Sequence, residues 1–95
     1  MPVLGLSQKP APVPGPALHV FAVRAAPDPQ VMLRVANLFA QRNIVPDQIC
    51  CRRSGRWLLV DIEAALESVA EAMLLLEKLR SMVLVERASL VEGTC

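Results

Sequence analysis

The sequence predicts an α+β fold of the order βαββαβ, with four antiparallel strands in one sheet and two helices on one of its faces. Three observations lead to this prediction: β-branched runs near both ends, two short apolar runs joined by Ser54-Gly55, and two stretches with three- and four-residue apolar spacing. The chain has 95 residues, which is enough for one core, since independent domains usually contain about 100 to 150 residues.

The N-terminal stretch and the first strand differ in composition. Residues 1–17 hold five prolines, and proline both restricts φ and lacks an amide N–H, so we expect a Pro-rich flexible tail there. Leu18 to Ala25 is rich in valine and phenylalanine and is followed by Pro27 and Pro29, which predicts a strand that ends before the prolines. The predicted domain therefore covers residues 18–92, and residues 93–95 are predicted to be disordered.

Apolar residues at helical spacing predict the first helix, which begins at Pro29. These residues are Val31, Met32, Val35, Leu38 and Phe39. Asp28 is the expected N-cap, because an aspartate side chain accepts hydrogen bonds from the first helical amides. Asn43 is expected to end the helix, because asparagine tolerates the left-handed conformation.

A β-hairpin is predicted from residues 47–53 and 56–63, with Ser54-Gly55 as the turn. Side chains alternate between the two faces of a strand, so Leu58, Val60 and Ile62 are expected in the core. By the same alternation Cys50 and Cys51 are expected on opposite faces. The other residues of the second run are expected on the opposite face of the sheet: Trp57, Leu59, Asp61 and Glu63. We expect that face to be solvated or paired with another subunit.

A second helix is predicted over residues 65–82 and a terminal strand over 83–92. The expected buried stripe of this helix is Leu66, Val69, Ala70, Met73, Leu76 and Leu79. The complete order is that of a ferredoxin-like fold, a four-stranded antiparallel sheet with both helices on one face.

Composition and charge exclude several classes of function. Ten basic and nine acidic residues give a net charge of +1, so no broad field draws the chain to nucleic acid or to an anionic membrane. No apolar run reaches the roughly 18 residues that span a bilayer. The three cysteines lack a disulfide spacing, so we expect a reduced, cytoplasmic chain. The apolar fraction of 54% exceeds what one small core hides, which predicts a homodimer.

Residues able to do chemistry are few. His19 has no catalytic partner evident in the sequence, and Cys50 and Cys51 lack the spacing of a metal site. Trp57 alone does not supply the aromatic platform of an RNA-binding sheet, so the arginines around the hairpin turn are interpreted as solvated. We therefore predict no catalytic residue, no metal and no cofactor.

One segment has a more specific pattern, RAAPDPQVMLRVANLFAQRNIVPDQI. It resembles an ACT domain, in particular that of the regulatory small subunit of acetolactate synthase, whose motif reads approximately N-x-x-G-x-L-x-R-V-x-x-L-F-x-x-R-G-Y-N-I. The matching residues are Arg34, Val35, Leu38, Phe39 and Arg42. The order of elements over about residues 18–92 also agrees with this family.

The resemblance implies a small amino-acid effector, bound at a dimer interface where the first strand meets the first helix. It also implies regulation of, or assembly with, a catalytic acetolactate synthase subunit in branched-chain amino-acid biosynthesis. By position the site would consist of Pro27, Asp28, Pro29, Gln30, Val31 and Met32, with Asn43, Ile44 and Val45 opposite. Free amides at a helix N-terminus attract anions, with about 0.3–1 kcal/mol per charge in exposed settings.

Three departures from the motif leave a second function open. Gln30 replaces the glycine that lets a ligand approach the backbone, Val45 replaces a polar asparagine, and Pro29 removes an amide donor. The alternative is a ligand-free ACT-like module for dimerisation and protein interaction. An acylphosphatase-like enzyme would need an arginine in a glycine-rich loop after the first strand, and the loop AAPDPQ has neither residue type.

Overall fold

The elements follow the predicted order in this computed structural model, which describes residues 16–91. They are β1 (Ala17–Ala25), α1 (Pro29–Gln41), β2 (Gln48–Ser54), β3 (Trp57–Leu66), α2 (Val69–Arg80) and β4 (Val85–Val91). Ala17, which we had assigned to the tail, opens β1 and pairs with Leu66. The rest of the predicted tail before Pro16, and the predicted C-terminal disorder over 93–95, lie outside the described residues.

The four strands form one sheet in the order β2-β3-β1-β4, and all three neighbouring pairs are antiparallel. This topology confirms the predicted ferredoxin-like fold class. Leu58, Val60 and Ile62 are buried as predicted. Phe21 of β1 meets Phe39 of α1 edge to face, with ring centroids 5.6 Å apart, a favoured geometry for an aromatic pair.

Both helices bury their apolar stripes in the same core as these strand residues. In α1 the stripe is Val31, Val35, Leu38 and Phe39, and in α2 it is Ala72, Leu75, Leu76 and Leu79. Since the buried strand residues share one pleat phase, both helices lie on one face of the sheet.

The second helix begins later than predicted and buries only part of the predicted stripe. Ala65 and Leu66 extend β3, because they pair with Leu18 and Ala17 of β1. The helix begins after Ser68, whose hydroxyl oxygen accepts from the Glu71 amide at 3.1 Å. Leu76 and Leu79 are buried as predicted, and Leu66 is buried as a residue of β3. Three further residues predicted to be buried are exposed: Val69, Ala70 and Met73.

Two turns also differ from prediction. Ser54 pairs with Trp57, so the hairpin turn consists of Gly55 and Arg56 and not of Ser54 and Gly55. Gly55 has φ of 59°, which glycine adopts without steric cost. The last strand begins at Val85, two residues later than predicted, because residues 83 and 84 complete a turn in which Val83 is 97% exposed. The predicted left-handed residue after α1 is confirmed, with Asn43 at φ 61°.

The face of the sheet opposite the helices is called the open face here. Its register confirms the predicted orientation of Leu59 and Asp61 and places the two adjacent cysteines on opposite sides, with Cys50 beside Asp61 and Cys51 beside Val60. Glu63 shares the open-face pleat phase but is only 6% exposed, and its Oε2 has no hydrogen-bond partner within residues 16–91.

Candidate effector site

The loop from β1 to α1 is closed by hydrogen bonds from its own residues. Asp28 has an extended backbone, and its Oδ1 accepts from the Gln30 amide at 2.8 Å. The Asp28 carbonyl oxygen accepts from the Val31 amide at 3.0 Å, and Pro29 has no amide hydrogen. The predicted cap is therefore present. An incoming carboxylate would have to compete with Asp28 for the amides of Gln30 and Val31.

The two predicted halves of the site lie at opposite ends of α1. Pro27 to Met32 surround its first turn, and Asn43 to Val45 follow its last. A 13-residue helix is about 20 Å long at 1.5 Å per residue. The structure therefore does not bring the halves together in one chain, and a second chain would be needed to join them. Val45 is 87% exposed, whereas Ile44 packs against the core.

A cavity of about 290 Å³ lies between the start of α1 and the connection from α2 to β4. Its lining consists of Val31, Arg34, Met82, Val83, Leu84 and Val85. The Ala26 amide donates to the Leu84 carbonyl at 2.9 Å, which holds the connection against the end of β1. Of the predicted site residues, Val31 lines this cavity.

The lining combines one cation with five apolar residues. Arg34 is exposed and forms no hydrogen bond or ion pair within the described range. The volume is at the small end of the range for ligand pockets, roughly 300–1,000 Å³. Such a site suits a small molecule with a carboxylate and an apolar side chain, because a guanidinium binds a carboxylate through two parallel hydrogen bonds.

Arg34 matches the sequence motif but is not among the predicted site residues. The available signal was its position three residues after Val31, since residues at i and i+3 share a helix face. The α2–β4 connection was missed because its residues had been assigned to the second helix and the last strand.

The remaining histidine and cysteine residues in this part of the chain form no metal site. Residues 16–91 contain no group of three or more potential metal ligands. The His19 Nδ1 lies 2.9 Å from the Ala17 carbonyl oxygen, a local contact. Cys50 and Cys51 are free thiols. The described helices are too short or too polar to cross a bilayer.

The chain matches one protein family and is similar in fold to several solved structures. The profile of the family described as ACT-like domain matches residues 16–93. The solution structure of the ACT domain from GTP pyrophosphokinase of Chlorobium tepidum is similar with a TM-score of 0.72 and 9% identity, over 82% of this chain and 89% of that one. The crystal structure of the same domain gives 0.71 and 9%, over 80% and 99%.

A third similar structure is the C-terminal domain of the MgtC protein from Mycobacterium tuberculosis. It has a TM-score of 0.70 and 13% identity, over 88% of this chain and 95% of that one. Identities this low establish a shared fold and nothing further. These structures come from proteins other than acetolactate synthase, and no curated protein sequence matches.

Proposed function

The chain belongs to the ACT-like domain family, and on this basis we propose that it is a regulatory module that binds a small amino acid and has no catalytic role of its own. The observation that carries the proposal is the cavity beside the start of α1, where Arg34, which has no partner among the described residues, lies in an otherwise apolar lining.

We propose that Arg34, and not the loop amides, binds the carboxylate of the ligand. Because Asp28 occupies the amides of Gln30 and Val31, a ligand carboxylate finds its counter-charge in the Arg34 guanidinium. The apolar side chain of the ligand then lies against the valine, leucine and methionine residues of the lining. A branched-chain amino acid has the required size and polarity.

The proposal extends to a homodimer in the cytoplasm. In a dimer, the segment from Asn43 to Val45 of a second chain would approach the first turn of α1, which a single chain does not allow. We propose a catalytic acetolactate synthase subunit as the partner that the module regulates or assembles with. The support for this partner is the motif on α1, carried by Arg34, Val35, Leu38 and Phe39.

Thermal unfolding of the full chain with each of the twenty amino acids at millimolar concentration tests effector binding. At a ligand concentration 100-fold above Kd, we expect about 2.7 kcal/mol of stabilisation, which raises Tm by roughly 10–20 °C in a domain of this size. Arg34→Gln should abolish the shift. Arg53→Gln, which removes the same charge from the distant hairpin, should retain it. Absence of a shift with all twenty would contradict effector binding.

The second candidate is the ligand-free interaction module, and the occupied cap amides favour it. It predicts a dimer whose Tm does not respond to amino acids and which recovers a larger partner in a pull-down. The amino-acid titration separates the two candidates, because only the first predicts a response that depends on Arg34.

A further inference from the structure

Arginines from three strands line up across the open face. The register pairs Arg87 of β4 with Arg24 of β1, Arg24 with Leu59 of β3, and Leu59 with Arg52 of β2. Neighbouring strands are about 4.8 Å apart, so this row spans about 14 Å. All three arginines line the same groove.

The row borders a shallow groove of about 300 Å³. Ala22, Leu59 and Ser89 contribute uncharged lining, and the charged lining consists of the three arginines and Asp61. Counted with Asp61 and with Glu86, the ion-pair partner of Arg24, the three arginines leave a formal excess of one positive charge.

Two of the three guanidinium groups have no partner in the part of the chain that the structure describes. Arg24 donates from Nε to Glu86 at 2.9 Å and lies over the Trp57 ring at 5.0 Å. Arg52 and Arg87 form no hydrogen bond or ion pair with any residue from 16 to 91. Arg87 directly opposes Arg24, and like charges at such positions destabilise a sheet unless an anion lies between them.

We infer that this groove binds a small polyanion with a diphosphate or longer phosphate chain. Guanidinium groups bind phosphate oxygens through paired, charge-assisted hydrogen bonds, and two free groups at either end of the row suit two linked phosphates. The groove is of small-molecule size, and the chain lacks the broad positive field that nucleic acid requires. The site lies on the opposite side of the sheet from Arg34, so it is independent of the proposed effector cavity.

Calorimetric titration of the full chain with inorganic pyrophosphate and with tripolyphosphate at low salt tests the inference. We expect saturable one-site binding that weakens as salt is added. Arg52→Gln and Arg87→Gln should each weaken binding at least about tenfold, the effect of one lost charge-assisted hydrogen bond.

Arg53→Gln is the matched control. Arg53 follows Arg52 on β2, but it pairs with Leu58 and belongs to the opposite pleat phase, so its loss should leave pyrophosphate binding unchanged. Arg34→Gln should also leave it unchanged. Unfolding curves for each variant verify that the variants are folded.

Three results would overturn the inference. The first is the absence of saturable binding by either phosphate compound. The second is equal weakening by Arg52→Gln and Arg53→Gln, which would mean attraction by net charge alone. The third is binding of citrate as tight as that of tripolyphosphate, which would show that the groove does not select phosphate.

Discussion

At the scale of single residues, Asp28 decides how the first turn of α1 can be used. Its side chain accepts from Gln30 and its carbonyl oxygen accepts from Val31, so the chain satisfies its own helix N-terminus. This arrangement stabilises the fold, and it leaves the Arg34 guanidinium, which has no partner within residues 16–91, beside the cavity. Asp28 thus links helix capping to the proposed role of Arg34 as the ligand anchor.

Replacement of this cap should lower stability in a defined way. Asp28→Ala should cost about 1 kcal/mol, because the Gln30 amide loses its acceptor. Asp28→Asn should be close to neutral, since asparagine is an equally good N-cap. Chemical denaturation of the three proteins measures the difference, and equal stability of the alanine variant and the parent would show that the cap contributes nothing.

At the scale of elements, the β1–β4 pair places two positively charged side chains opposite each other. Arg24 and Arg87 are direct cross-strand neighbours, and Arg24 also forms an exposed ion pair with Glu86 at 2.9 Å. Exposed ion pairs contribute about 0–1 kcal/mol. We therefore expect the like-charge pair to lower the stability of the free chain, and an anion bound in the inferred open-face site would relieve the repulsion.

Arg87→Thr should therefore stabilise the free chain by roughly 0.2–1 kcal/mol, by removing the like-charge pair and by placing a strand-favouring residue in β4. The matched control is Arg52→Thr, which introduces the same residue opposite Leu59, where no like charge is relieved. Urea unfolding at low and high salt measures both variants. A gain as large at high salt as at low salt would argue against an electrostatic origin.

At the scale of the whole molecule, the sheet separates two surfaces. The helix side carries the core, the proposed effector cavity and exposed apolar residues, including Met32, Leu33 and Val83. The open side carries the arginine row. An effector on one side and a polyanion on the other could therefore bind at the same time.

The proposed homodimer gives a prediction at this scale. Light scattering of the full chain should give a mass of twice 10.3 kDa, because exposed apolar side chains are hidden when two copies associate. The mass should not change on dilution through the micromolar range. A stable monomer would contradict both the shared effector site and the ligand-free dimerisation module.

The order of the elements, the core face of β3, the Asp28 cap and the left-handed Asn43 could all be predicted from the sequence. Each depends on local physical chemistry: strand alternation, helical spacing, or the side chain of a single residue. Only the tertiary structure decided where β3 ends and α2 begins, because pairing with β1 holds Ala65 and Leu66 in the sheet. It alone also placed Arg34 beside the α2–β4 connection and aligned Arg24, Arg52 and Arg87. These positions depend on contacts between residues far apart in the chain, and local patterns do not encode them.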